Sequence, residues 1–232
     1  LPGVAYVFER DDSGNWMEVA RLEADVPVAR DQFGAAVAID GDRVLVGARS
    51  RGAGAGEAYV FERGESGTWA SVAQLAAPVP DADDGFGASV ALRDGLALVG
   101  APGRTFSSDI QGAAYLFREA EGAWALEAEL RAPGATGVRD QFGEAVALGD
   151  DRAVVSAPIA PTPDKAGIGD VYVFEREDGT WVLDAALVPD DPRYRVVGQH
   201  LALDDDRLLV ASRELSSSAV EVFTHGASGW ML

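Results

Sequence analysis

Five short signatures return in the same order along this chain, and that order leaves few folds open. A Phe-Gly step at Phe33-Gly34 comes back as Phe86-Gly87 and Phe142-Gly143, and in decayed form as Val197-Gly198. A small, apolar run follows, and then a polar turn: Asp40-Gly41-Asp42, Arg93-Asp94-Gly95, Gly149-Asp150-Asp151 and Asp204-Asp205-Asp206. Next comes Val46-Gly47-Ala48, repeated as Val99-Gly100-Ala101-Pro102, Val155-Ser156-Ala157-Pro158 and Val210-Ala211-Ser212. An aromatic run stands at Tyr6-Val7-Phe8, Tyr59-Val60-Phe61, Tyr115-Leu116-Phe117 and Tyr172-Val173-Phe174, and as Glu221-Val222-Phe223, each followed by a tryptophan: Trp16, Trp69, Trp124, Trp181 and Trp230. A period of roughly 50–57 residues belongs to propellers, solenoids and arrays, in which each unit buries its apolar face against a neighbour.

Every full unit offers four runs of strand length. They are 33–39, 43–48, 57–63 and 69–76; 86–92, 96–101, 113–119 and 124–131; 142–148, 152–157, 170–176 and 181–187; and 197–203, 207–212, 219–224 and 230 onward. Residues 4–10 and 16–22 read as the last two strands of a preceding unit. No window sustains helical periodicity. Four short antiparallel strands per unit is the composition of a propeller blade. The expectation is one all-β β-propeller domain over 1–232, with blades at about 33–76, 86–131, 142–187 and 197–232 and a partial blade at 4–24. The first strands are small and apolar on both faces (AAVAI, ASVAL, EAVAL), which suits an inner position. The tryptophan strands alternate apolar with polar, as outer strands with one wet face do, and their indoles are expected to pack blade against blade. Both ends of the chain fall within a repeat. This reads as a piece of a longer protein, in which a closed ring needs the first two strands of the partial blade.

The formal charge of −19 argues against nucleic acid, whose phosphates need a basic footprint, and against anionic membrane surfaces. No apolar run approaches the roughly 18–20 residues of a membrane helix, so no membrane insertion is expected. The acidity itself has two readings, solubility (or a saline habitat) and attraction of a cation or basic partner. With no cysteine there is neither a disulfide framework nor a thiolate metal site. That is compatible with export.

The order Phe-Gly, then Gly-Ala-Pro, then Gly-x-x-Tyr-Val-Phe resembles FG-GAP repeats, the blades of integrin α-subunit propellers and their bacterial relatives. It is clearest at Phe86-Gly87, Gly100-Ala101-Pro102 and Gly112-Ala113-Ala114-Tyr115-Leu116-Phe117. The resemblance covers essentially the whole chain and implies a propeller with an adhesion-type role, extracellular or at a cell surface, using the face that carries the long loops. Many such blades hold calcium in a D-x-D-x-D-G-x-x-D loop between the first two strands. The segments here are too short to wrap a cation with six or more oxygens and fit tight hairpin turns instead. This chain therefore departs from the family at its metal site, and no cofactor is expected. Asp81, Asp83 and Asp84 are the remaining cation candidates.

Asp31, Asp84 and Asp140 recur just ahead of the Phe-Gly step, where a short carboxylate can accept backbone N–H bonds. Catalysis finds no constellation. The two histidines are His200, in the fourth inner strand, and His225, read as lying in a hairpin turn, and no Ser/His/Asp set, H-E-x-x-H or phosphate loop occurs. Strand parity places Arg49–Glu57, 102–112, 158–169 and the crossings 25–31, 77–85 and 132–140 on one face. Long dissimilar loops on a rigid scaffold carry function, and their distinctive side chains are Arg49, Arg51, Arg104, Phe106, Asp109, Asp164 and Lys165. The expected role is a non-enzymatic binding module meeting a protein or glycan ligand on that face. The alternatives are an accessory domain of a secreted hydrolase or lyase, or a structural spacer.

Overall fold

The computed structural model describes residues 1–106, 109–133, 140–159, 169–187, 196–213 and 218–232, and every regular element in them is a strand. An N-terminal pair, β1 (Ala5–Arg10) and β2 (Trp16–Leu22), precedes four sheets. The first sheet is β3 (Phe33–Asp40), β4 (Arg43–Ala48), β5 (Glu57–Arg63) and β6 (Trp69–Leu75). The second begins with β7 (Ser89–Arg93) and β8 (Leu96–Ala101), continues after a two-residue hairpin, β9 (Thr105–Phe106) and β10 (Asp109–Ile110), and ends with β11 (Ala113–Ala120) and β12 (Ala123–Leu130). The third is β13 (Val146–Leu148), β14 (Arg152–Ala157), β15 (Asp170–Glu177) and β16 (Thr180–Leu187); the fourth is β17 (Val196–Asp204), β18 (Arg207–Arg213), β19 (Ser218–Gly226) and β20 (Gly229–Met231). Each is an antiparallel meander in chain order, the expected blade.

The core lies between blades. Four apolar clusters each span one seam: Val7 and Leu22 with Val44 and Phe61, Leu45 and Val60 with Val99 and Tyr115, Leu98 and Leu116 with Val155 and Phe174, and Val154 and Val173 with Leu208 and Phe223. Within a blade the Phe of the Phe-Gly step meets both rings of the aromatic run. Phe86 lies 5.6 Å from Tyr115 and 6.0 Å from Phe117, and Phe33 and Phe142 repeat the arrangement with Tyr59 and Phe61 and with Tyr172 and Phe174. The second ring is edge-on in every case, the arrangement that aromatic quadrupoles favour.

Two strands start later than the hydrophobic pattern predicts. Phe86 and Phe142 do not open β7 and β13; they form single parallel bridges to Gly56 and Gly112 of the preceding blade. The following glycines, Gly87 (φ +87) and Gly143 (φ +96), turn the chain off the ladder. His225, expected in a hairpin turn, lies instead within β19 opposite Trp230, because that strand runs two residues beyond its apolar stretch. A β-bulge recurs at one place in the N-terminal pair and the first three blades, between Val7/Phe8, Val60/Phe61, Leu116/Phe117 and Val173/Phe174, leaving Val19, Val72, Glu127 and Asp184 as the extra residues of the outer strands.

Glycine explains how closely blades approach. A Cβ on Gly47 would lie 2.0 Å from the carbonyl oxygen of Gly87, and one on Gly100 would lie 2.0 Å from that of Gly143. The Gly of one blade's Val-Gly-Ala thus packs on the Phe-Gly backbone of the next, so both signatures answer to a single contact. Gly87→Ala meets the Glu57 carbonyl at 2.5 Å at a φ suited to glycine and is expected to cost about 3 kcal/mol. Gly41→Ala, also at positive φ but with open space around it, should cost about 1 kcal/mol. Urea denaturation of the two variants checks this; equal losses would contradict the contact.

Candidate functional site

The loops after second and fourth strands do meet on one face. Gly85 N–H donates to Gly54 O at 2.8 Å and Asp140 N–H to Ile110 O at 3.1 Å, tying a blade's long loop to the crossing that enters the next, and Gly103 N–H donates to Asp84 O at 2.9 Å, tying the second blade's long loop to the crossing that enters that same blade. The chain approaches each Phe-Gly step through left-handed residues, Gln32 (φ 58), Gly85 (φ 68) and Gln141 (φ 57). The aspartate before them is fully buried: Asp31, Asp84 and Asp140 are at most 2% exposed. Asp31 Oδ1 accepts the Phe33 N–H at 3.1 Å and Asp84 Oδ2 accepts the Asp81 N–H at 2.9 Å.

Two of the three candidate arginines prove to be the partners of these carboxylates. Arg51 Nη1 donates to Val26 O at 2.9 Å and to Asp31 Oδ2 at 3.4 Å, and its Nε pairs with Glu57. Arg104 Nη1 lies 3.1 Å from Asp84 Oδ2. Both side chains are 14% exposed. A buried carboxylate is costly without such a cation, so these guanidiniums hold the loops to the blades and are not offered to solvent. Each pair is separated by twenty residues, a recurrence present in the sequence that the loop-by-loop reading missed. The third unit has Ala160 at the matching distance from Asp140. Phe106 is sandwiched, with the Arg104 guanidinium 5.2 Å and that of Arg131 3.7 Å from its ring centroid, so it too is committed within the fold.

Arg49 differs. It is exposed and makes no ion pair among the described residues. It lines a groove of about 260 Å³ with Asp83, Gly85, Pro102, Ile110, Gln141 and Glu144. That is below the roughly 300–1,000 Å³ of pockets that enclose a drug-sized ligand, and it suits one sugar ring or one protruding side chain. Among the candidates, Asp164 and Lys165 lie outside the described residues, as does the side chain of Asp109. Asp81 and Asp83 are exposed beside buried Asp84, whose charge Arg104 meets, and no cluster of three or more potential metal ligands occurs among the described residues.

Three phenols lie behind this face. Burial and the Glu129 charge push Tyr115 up to about 12. Burial with the bond to Glu57 raises Tyr59 further, and burial with the Asp170 charge, to which its hydroxyl donates at 3.1 Å, does the same to Tyr172.

A protein-family model described as FG-GAP repeat matches residues 16–61, 69–117 and 124–174, more than half of the chain. Its unit is phased from an outer tryptophan strand to the third strand of the next blade, so each matched segment crosses one of the seams described above. No curated protein matches.

Arg104→Ala is expected to cost about 3 kcal/mol, because it leaves Asp84 buried without its cation. Asp84→Ala in the same chain should recover part of that loss in a double-mutant cycle read by urea denaturation, whereas additive losses would deny the coupling. The raised phenols are neutral in the folded chain. Their contribution is complete below pH 10, the ordinary tyrosine value, and is lost as pH rises through and beyond about 12. An alkaline unfolding transition accompanied by late phenolate absorbance is expected, and tyrosines that all titrate near pH 10 before unfolding would refute it.

Proposed function

The chain belongs to the FG-GAP repeat family, and on that premise we propose that it is a non-enzymatic binding module, acting outside the cell or at its surface, that contacts a protein or glycan through its long-loop face. The observation that carries this reading is Arg49: an uncommitted cation beside a small groove, on loops whose Arg51 and Arg104 are tied into the fold. The surrounding groups supply both senses of recognition. Arg49 donates to a carboxylate or sulfate, while Asp83 and Glu144 accept hydroxyls or amides and Gln141 does either. That set fits an acidic sugar or the carboxylate-bearing tip of a protein loop. A chain of net charge −19 repels acidic ligands at long range, so affinity must come from local contacts at the groove.

The test uses panels of immobilised acidic glycans and acidic peptides. Any ligand held by the wild-type chain should be held about ten-fold less tightly by Arg49→Glu, in line with the roughly 1–2 kcal/mol of an interfacial arginine, with an unchanged melting temperature because Arg49 supports nothing else. Arg51 and Arg104 are unsuitable probes, since their loss acts on folding. Undiminished capture by Arg49→Glu would remove the groove from consideration.

A further inference from the structure

Acidic residues outnumber lysine and arginine two to one in this chain, 38 against 19, so an arginine without a carboxylate is the exception. Among the described residues Arg30, Arg49 and Arg213 are in that position. All three side chains are exposed, and their guanidiniums make no ion pair or side-chain hydrogen bond. Every other described arginine pairs with a carboxylate or, in Arg10, bonds the Gly14 carbonyl. The three uncommitted cations share the long-loop face. We propose, resting on the groove reading above, that this face holds one extended ligand, an acidic polysaccharide of the polyuronate class, and that Arg213 forms a second subsite for it.

Register makes Arg213 the fourth blade's counterpart of Arg49. Ser212 pairs with Val197 and Ala219 as Ala48 pairs with Phe33 and Glu57. In each blade the next residue is where the second strand reaches the long-loop face. It is Arg49 in the first blade and Arg213 in the fourth, and in the two blades between it is proline, Pro102 and Pro158, both buried. A row of four equivalent positions therefore carries charge at its two ends and none in the middle. Arg30 reinforces the first end. Asp31 O accepts the Ser50 N–H at 3.0 Å, which sets Arg30 and Arg49 each one residue from that bond.

Cations held apart on a rigid scaffold match a ligand whose anions are also held apart, and a lone carboxylate can use only one end of the row. Each guanidinium offers a planar fork that suits a carboxylate. The groove beside Arg49 selects between acidic polymers. Asp83 and Glu144 line it, and these carboxylates repel a run of aspartate or glutamate side chains while accepting sugar hydroxyls. A polyuronate brings hydroxyls and one carboxylate on every ring, and a groove of about 260 Å³ has room for one such ring.

The probes are galacturonic acid, oligogalacturonates of increasing length and polygalacturonate, with neutral galactan as the control, each titrated into the full chain. Affinity should rise in a step at the length that reaches from one end of the row to the other, because the second contact is then intramolecular. Arg213→Glu should remove the step, lowering affinity for the long oligomers about ten-fold while leaving that for the monosaccharide unchanged. Arg49→Glu should weaken binding at every length. Neither substitution should move the melting temperature, since neither guanidinium holds a part of the fold. A step that survives Arg213→Glu, galactan held as well as polygalacturonate, or no binding of polygalacturonate would each overturn the proposal. Capture of acidic peptides alone, weakened by Arg49→Glu, would overturn it and leave the groove reading standing. Indifference of every ligand to both substitutions would overturn the two together.

Discussion

Neighbouring blades touch through backbone, at glycines that lie against carbonyl oxygens of the adjoining blade with no room for a methyl group. Everything else in the fold is spaced by that contact. It sets the separation at which leucine and valine from two sheets fill one seam, and it holds the Phe-Gly ring over the aromatic pair of its own blade. At the seam between the third and fourth blades Ser156 replaces the glycine, and its Cβ is 2.7 Å from where a Cβ on Gly198 would be. Gly198 therefore carries alone what two glycines share elsewhere. The buried Ser156 hydroxyl stays bonded inside its blade, accepting the Ala145 N–H at 3.0 Å.

Strand order, blade number and inner-versus-outer placement were legible in the sequence, because they depend on side-chain periodicity and on small residues at fixed offsets. The starts of β7 and β13 were not. An apolar residue such as Phe86 looks the same in a ladder as in a single bridge to another sheet: Phe33 pairs with Ala48 within β3 while Phe86 bridges Gly56, although the glycine after each has a φ of 87°. The small hairpin of β9 and β10 was hidden for a similar reason, since two-residue strands carry no period.

For the loop face the sequence showed which segments converge but not which charges were spent. Arg49, Arg51 and Arg104 look alike in a list of loop cations. They part company only once Asp31 and Asp84 are seen to be buried and in need of counter-charge. The twenty-residue spacing of both pairs was a usable signal, and it marks a cation that serves folding. The odd residue out, Arg49, is the one of the three with no ion pair among the described residues.

The recurrent bulge has a consequence for cooperativity. In the second blade the bulged residue is Glu127, which accepts the Trp181 indole N–H of the third blade at 2.7 Å and pairs with Arg118 and Arg176. In the third it is Asp184, which accepts that of Trp230 at 3.2 Å. In the N-terminal pair and the first blade it is valine, Val19 and Val72, and the Trp69 indole nitrogen is buried without an acceptor. In a linear array whose stability is a sum of units and nearest-neighbour couplings, the couplings then differ from seam to seam. The two later seams carry an indole-to-carboxylate bond, while the earlier ones are crossed by the Arg63–Glu9 and Arg43–Glu119 ion pairs in its place. Removing such a bond lowers the coupling at one seam and leaves the units on either side unchanged, so the seam sets how far a local opening spreads.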